Sequence, residues 1–419
     1  MGTMERFDDK RQTMLVLFIH NHIGGAMTAL TNFVNALDTS KYHVDLLFYG
    51  IQDQVEGIKP EINILPQADT KRRLLRKLAS PAYVAAFAHA QYYLKFRHSK
   101  LLSRQLRARQ GCRFSRRLNK EYDIAISFEL LWPFYYMMRF VRAKKKLVWH
   151  HNDYHAMGYR FSWDKRYFDQ VDGLIFVSRE CQKKFVALHP AYHAKCFFMP
   201  NIMAKAPVVM RAKAYQPELP FKLLRQGLNL VTVARFNFAS KGMDRMIGVL
   251  CRLRDEGLSD RLRWLLIGGG NDLARFCAMV EEDGLQEVVY TIGPLENPLP
   301  YLPLFDAFLL PSRNEGKPVA VTEAQILGLP PVVTRYASAC EQIEDGVDGF
   351  IVDNDDQALY RGLRELVLYP EKLRQARQIL QTRSYTNEAD ISCFDQIIQQ
   401  LSEDTKGSAS HDLRHSAGL

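Results

Sequence analysis

The chain has 419 residues, a length that implies two or three compact units. Its residues are 47% hydrophobic and 24% charged, which excludes a disordered or collagen-like chain. Seven scattered cysteines without a C-x-x-C pair exclude a disulfide scaffold and a zinc site, and they read as reduced thiols of a cytoplasmic protein. The formal charge is +10, yet residues 71–120 hold 15 Lys or Arg and no Asp or Glu, so the rest of the chain is net acidic.

The first apolar run, 14–19, follows Glu5, Asp8 and Asp9 and is too short and too acidic in its flank for a signal peptide. No run reaches the roughly 20 apolar residues of a membrane span, and 82–94 is interrupted by His89 and Gln91. A soluble or peripheral protein is expected. Strands are predicted at 13–19, 43–49, 122–128, 146–150 and 173–177, and again at 229–235, 263–268, 287–292, 305–310, 331–334 and 349–352. They are continuous apolar runs alternating with helical stretches, the pattern of parallel sheets with crossover helices. Between the two series, 204–220 carries Pro207, Pro217 and Pro220 and reads as a linker. The expectation is an α/β chain of two Rossmann-like domains. The first is 1–205 with a basic helical insertion at 71–120, and the second is 222–384 after a linker at 206–221. A helix at 385–402 and a disordered tail at 403–419 complete it.

Within the basic segment Arg97, Lys100, Arg104 and Arg107 share one side of a helix, with Leu102 and Leu106 roughly opposite. Arg113, Arg116, Arg117 and Lys120 repeat the spacing. Three readings stand: a surface for anionic lipid or a polyanionic acceptor, a nucleic-acid surface, or a solvated face. No helix-turn-helix, zinc or RNA-binding signature supports nucleic acid.

Several loops after predicted strands carry candidate chemistry, because ligands of open α/β sheets sit at the carboxyl ends of strands. Asn21-His22-Ile23-Gly24-Gly25-Ala26 lets a ligand approach the backbone at a helix start, although it is not the dinucleotide fingerprint G-x-G-x-x-G. Trp149-His150-His151-Asn152-Asp153-Tyr154 offers polar groups for a sugar or a base, or alternatively a packed histidine and a capping Asp. Arg235 at a strand end and Lys241-Gly242 at a helix start can clamp a diphosphate without a metal. Gly268-Gly269-Gly270 is another tight turn. The sharpest stretch is Ser312-Arg313-Asn314-Glu315-Gly316-Lys317-Pro318 followed by Glu323. Its loop carboxylate can meet sugar hydroxyls, and its helix carboxylate both hydroxyls of a ribose. Asp353-Asn354-Asp355 spells D-x-D but follows a strand and reads as a polar turn.

Gly24-Gly25, Arg235 with Lys241-Gly242, and E-x7-E at Glu315 and Glu323 together resemble the retaining glycosyltransferases of family 4. The order matches from Met14 to about Asp355, with Ile292-Gly293-Pro294, Asp306, Leu310-Pro311-Ser312, Glu315-Gly316, Glu323-Ala324 and Asp345-Gly346. Residues 122–153 resemble members acting on cell-surface polysaccharides, through Trp149, His151 and Asp153 after a basic run at 143–146. The resemblance implies a GT-B fold, with an acceptor-side first domain, a donor-side second domain and a last helix returning to the first. It implies a hexosyltransferase that moves sugar from a UDP- or GDP-sugar to a glycan or lipid-linked acceptor. The basic segment 71–120 adds the expectation of a cytoplasmic enzyme docked on the inner face of the cell membrane.

By the same resemblance Arg235 and Lys241 bind the diphosphate, with Gly24, Gly25 and Gly316 at the donor. Glu323 holds the ribose, and Glu315 and His151 sit at the reacting sugar. His150 is a rival to His151, and Asp153 belongs to the sugar or acceptor side. No metal or other cofactor is expected, and no nucleic acid. The chain departs from the family's pattern at Met27, where a Glu is common, and in Val-Ala-Arg for Val-Gly-Arg. An epimerase or phosphorylase is a poorer match, and a catalytically inactive partner subunit is the alternative.

Overall fold

The computed structural model describes residues 11–19, 24–49, 57–66, 100–112, 115 and 117–415. In the first half, β1 (Gln12–Ile19), β2 (Tyr42–Tyr49), β3 (Asn63–Ile64), β4 (Glu121–Ser127), β5 (Arg142–His150), β6 (Gly173–Phe176) and β7 (Cys196–Phe198) form one sheet. The order is β3-β2-β1-β4-β5-β6-β7, and every pairing is parallel. Helices α1 (Gly25–Ala36), α2 (Lys100–Gly111), α3 (Trp132–Phe140), α4 (Phe161–Phe168) and α5 (Arg179–Leu188) supply its crossovers. Because helices cover both faces, both are apolar: Leu147 and Trp149 of β5 enter one core, and Val148 between them enters the other.

After α6 (Lys205–Ala212) comes a second parallel sheet of β8 (Leu228–Val233), β9 (Leu262–Ile267), β10 (Val289–Thr291), β11 (Ala307–Leu310), β12 (Pro331–Thr334) and β13 (Phe350–Val352). Its order is β10-β9-β8-β11-β12-β13. The helices here are α7 (Phe238–Lys241), α8 (Met243–Asp255), α9 (Leu273–Glu282), α10 (Val319–Ile326), α11 (Ala339–Gln342), α12 (Asp356–Leu368), α13 (Glu371–Thr382) and α14 (Ile391–His415). In each sheet the winding reverses between two neighbouring strands, β1 and β4 in the first, β8 and β11 in the second. A crevice opens at such a reversal, outside the carboxyl ends of the strands.

Differences from the sequence expectation have local causes. Strands β3 and β7 escape it because they are only two and three residues long. Strand β5 starts at Arg142 rather than 146, its cationic start paired by Lys144 with Asp123 and Lys145 with Asp172. The proline-bearing linker contains α6, with Pro207 in the first turn, where its missing N–H would have no helical partner anyway. A disordered tail was expected from 403, but α14 runs on to His415. Residues 402–415 contain no proline and only Gly407, and a helix already nucleated gains a bond with each residue added.

Of the basic insertion, residues 71–99, 113, 114 and 116 lie outside the described residues. In α2, Gln105 and Leu106 are buried, while Arg104 and Arg107 are exposed. No helix among the described residues is long and apolar enough to cross a membrane.

Among the described residues, ties between the halves include helix α14, Asn387 and Glu341. Helix α14 packs Phe394, Ile397 and Ile398 into the core of the first domain, with Phe394 5.3 Å from Phe33, and Tyr42 Oη donates to Asp395 at 2.8 Å. Where the chain crosses a second time, Asn387 takes the Met203 N–H at 2.8 Å and donates its own to Met203 O at 3.0 Å. Its side-chain amide also donates to Asn201 O at 3.1 Å. Finally, Glu341 of α11 caps α5 from the opposite domain, accepting from Ser178 Oγ at 2.8 Å and from the N–H groups of Arg179 and Glu180.

Candidate functional site

The carboxyl ends of β8 and β11 carry the second-domain candidates. Arg235 follows β8, is exposed, and has no hydrogen bond or ion pair among the described residues. Lys241 ends α7, and Gly242 turns the chain into α8 with φ 65°. A Cβ at 242 would lie 2.3 Å from Pro311 O, so both the dihedral and the space demand glycine. That approach brings the two loops together. Lys241 Nζ donates to Glu315 Oε1 at 2.5 Å, and Ser312 Oγ donates to the same oxygen at 2.7 Å. Glu315 is only 7% exposed.

The Lys241 loop is bolted to the Glu315 loop by groups the sequence did not single out. Arg313 grips Asp244 with two bonds of 2.7 and 2.9 Å and donates to Phe238 O at 2.6 Å, while its own N–H reaches Ser240 O. A bidentate guanidinium–carboxylate pair fixes geometry as well as charge. The signal was present in Asp244 and Arg313, but no spacing rule links positions so far apart in sequence.

Helix α10 opens at Val319, behind Pro318, and its first N–H groups form the positive end of the helix. Glu323 lies one turn inside, buried, with Arg211 of α6 at 3.8 Å. Burial raises its carboxyl above the ordinary range, and Arg211 partly offsets this. Arg211 was not anticipated, because α6 was read as linker.

From the first domain, Gly24 caps α1 and Gly25 begins it, with Val319 against Gly25. The helix starts of α1 and α10 therefore meet across the cleft. Residues 20–23 of the expected glycine loop lie outside the described residues.

The two histidines part company. His151 Nε2 hydrogen-bonds Phe128 O at 2.8 Å, and burial pushes its imidazole down to about 4, so the ring is neutral at physiological pH with Nε2 as the donor. His150 is 1% exposed, stacks on Phe176 at 4.6 Å, and leaves both ring nitrogens without a hydrogen-bond partner among the described residues. Burial pushes it down to about 3. The expectation that His150 rivals His151 at the sugar is corrected here: as the last residue of β5 it shares Val148's face and points into the aromatic core. Asp153 is corrected likewise, since its Oδ1 accepts the N–H groups of His155 and Ala156, both at 3.0 Å, and closes a turn.

Gly316 brings the two halves together. A Cβ there would lie 1.8 Å from His151 O, so this loop of the second domain runs directly beneath the first-domain histidine.

One group in the cleft was missed altogether. Glu129 follows β4, half-buried, and its carboxylate has no hydrogen bond or ion pair among the described residues. Burial pushes it up to about 7, against the opposing fields of Arg235 across the cleft and Arg104 of α2.

Asp353-Asn354-Asp355 closes the turn that was expected. Asp353 pairs with Arg335, Asn354 accepts from Arg245, and Asp355 caps α12 through Ala358 N–H at 2.8 Å. Among the described residues, no cluster of three or more His, Cys, Asp or Glu side chains is arranged to hold a metal.

Residues 218–382 match the family described as glycosyl transferases group 1. Amylovoran biosynthesis glycosyltransferase AmsK of Erwinia amylovora is 30% identical over 204 residues, 46% of this chain and 47% of that protein. A putative colanic acid biosynthesis glycosyltransferase, WcaL of Salmonella typhimurium, is 34% identical over 147 residues, 33% of this chain and 36% of that one. The chain therefore spans about half, or less, of the length of these curated relatives. Sucrose-phosphate synthase from Thermosynechococcus elongatus superposes with a TM-score of 0.65 at 16% identity, over 93% of this chain and 100% of that one. Anabaena HepE in complex with UDP and glucose does so at 0.60 and 13% identity, over 93% and 99%. At these identities the likeness is one of fold, and the fold is GT-B.

Proposed function

We propose that this chain, whose residues 218–382 are a glycosyltransferase group 1 domain on a GT-B fold, transfers a sugar with retention from a UDP- or GDP-sugar to a glycan or lipid-linked acceptor in surface polysaccharide synthesis. The observation that carries the reading is the meeting of Lys241, Glu315 and Gly316 with His151 at the crevice of the second sheet. Its relatives in amylovoran and colanic acid synthesis support the glycan setting.

The chemistry follows from charge. A departing nucleoside diphosphate gathers negative charge as the bond to the sugar breaks, and fixed donors aimed at it lower the barrier most. Lys241, Arg235 and the start of α10 supply those donors without a metal. Lys241 moves between Glu315 and the diphosphate, leaving Glu315 for sugar hydroxyls. Glu323 takes the ribose, and His151, neutral and held by Phe128 O, forms the wall beside the sugar. The basic segment 71–120 docks the enzyme on anionic lipid near its acceptor.

A thermal-shift panel of UDP, GDP and ADP with their sugars tests the donor, because a ligand binding only the folded state raises its melting temperature. The anomeric configuration of the product, read by proton NMR, tests retention. No shift with any nucleotide would reject the donor reading, and an inverted product would reject the mechanism.

A further inference from the structure

Glu323 is buried, and its carboxylate accepts no hydrogen bond among the described residues. It is the fifth residue of α10, whereas the positive end of a helix acts within its first turn. The cation beside it comes from elsewhere. Arg211 of α6 brings Nη1 to 3.8 Å from Glu323 Oε1.

Arg211 lies outside 218–382, on the stretch that joins the two halves, yet its place is fixed from several sides. Val208, one turn earlier, is buried in the same core as Val319 and Leu299, and Ala212 packs against that core. Asn297 Nδ2 donates to Arg211 O at 2.7 Å, and Tyr215 Oη donates to Asn297 O at 2.6 Å. Tyr301 Oη reaches Glu218 O at 3.3 Å. These bonds fasten 211–218 to 297–301 of the second domain. At its other end α6 starts two residues after Met203, which Asn387 holds. A helix secured in this way carries its guanidinium to Glu323 without freedom to drift. The side chain itself is partly exposed, so its placement beside a buried carboxylate is not a requirement of the core.

We propose that Arg211 is a positioning residue of the donor site, fixing the Glu323 carboxylate in the orientation that accepts the ribose hydroxyls. The inference rests on the ribose assignment made above. A glutamate side chain turns about three bonds, and a buried carboxylate without a partner either rotates toward water or takes up a proton. Burial does raise the Glu323 carboxyl, and Arg211 opposes that rise. A protonated acid would offer the ribose one acceptor fewer. Arg235 and Lys241 are assigned to the diphosphate and grip any nucleotide that carries one. Arg211, acting through Glu323, adds selectivity for the ribonucleotide.

The test measures affinity by calorimetry on the full chain, with two ligands. One is the nucleoside diphosphate that gives the largest thermal shift, and the other is its 2′-deoxy counterpart. The wild type is expected to prefer the ribonucleotide by about 10-fold or more, as loss of a hydrogen bond to a charged group implies. Glu323→Gln should lose most of that preference. Arg211→Met should lose most of it too, while affinity for the deoxynucleotide stays within about twofold. Arg211→Lys, which keeps a cation, should retain part. The double variant Arg211→Met/Glu323→Gln should show no less preference than Glu323→Gln alone, because the two side chains act as one unit. Full preference in Arg211→Met, with loss in Glu323→Gln, would overturn the inference and leave the ribose assignment standing. Equal weakening of both ligands in Arg211→Met would overturn it as well, making Arg211 a cation for the diphosphate. A wild type without preference, or a Glu323→Gln that keeps it, would reject the ribose assignment and the inference with it.

Discussion

The backbone carbonyl of His151, in the first domain, lies over the α-carbon of Gly316, in the second, with room for no side-chain atom between them. Two loops from different sheets are thus in backbone contact at the point where the proposed transfer would place the sugar. Gly316→Ala would set a methyl 1.8 Å from that oxygen, and the halves would have to move apart. Overpacking of this kind costs about 1–3 kcal/mol. Chemical denaturation should register that loss, and turnover should fall while the second domain keeps its nucleotide affinity.

In the proposed donor site the Lys241–Glu315 pair has a division of labour. Lys241→Ala should weaken nucleoside diphosphate binding by about 1.5–3 kcal/mol, the worth of one charge-assisted bond, and slow transfer as well. Glu315→Gln should bind free nucleotide nearly normally and turn over poorly, whereas Glu323→Gln should lose nucleotide affinity. Calorimetry and turnover, measured on the same donor with and without EDTA, check all three. Equal losses of nucleotide binding in both glutamine variants, or a collapse on chelation, would contradict the assignment.

His150 and His151 should respond oppositely to removal. His150 buries two ring nitrogens that have no partner among the described residues, so His150→Phe replaces an unsatisfied polar group by a ring suited to its aromatic neighbours. Stability at neutral pH should hold or rise. Because both imidazoles are held well below the ordinary 6.5, at about 3 and about 4, unfolding takes up protons between those values and 6.5. Their contribution is therefore complete above about 6.5 and is lost progressively on acidification through that window. His150→Phe should flatten part of the fall in melting temperature between pH 7 and 4. His151→Phe, which also frees Phe128 O, should depress turnover at every pH.

The cap that Glu341 places on α5 joins the domains without apolar contact. Glu341→Ala should cost about 0.5–2 kcal/mol, as loss of a helix cap does, and Glu341→Gln less, because its amide oxygen still accepts. Thermal unfolding of the three proteins side by side orders them. Equal melting temperatures would mean that α5 needs no cap from the opposite domain.

Docking through residues 71–120 predicts capture on vesicles of anionic but not neutral lipid. Capture should weaken between low and physiological salt as the screening length shortens to about 8 Å. Cosedimentation at both salts decides it, and equal recovery on neutral vesicles would remove the lipid surface from the proposal.

Physical reasons separate what was legible in the sequence from what was not. Buried parallel strands announce themselves as apolar runs, so β1, β2 and β8 stand out, whereas the lysines of β5 conceal its beginning. Lys241, Glu315 and Gly316, which the structure brings to one crevice, stand out because they belong to a local pattern of spacing. Glu129 does not, because a single acidic residue after a strand has no pattern, and the cations that act on it, Arg235 and Arg104, lie more than a hundred residues on and two dozen back. The histidine pair could not be resolved either. Alternation along a strand separates neighbours into two faces, but with both faces apolar the letters alone do not say which face leads to the cleft.

Asn387 binds Met203 in both directions and Asn201 besides, so the chain's two passages between the domains are stitched into one spot. With both passages held at one spot, Asn201 and Met203 keep a fixed spacing from Asn387. The cap that Glu341 sets on α5 fixes a second point between the halves, so the distance between those two points sets how the two crevices are held apart.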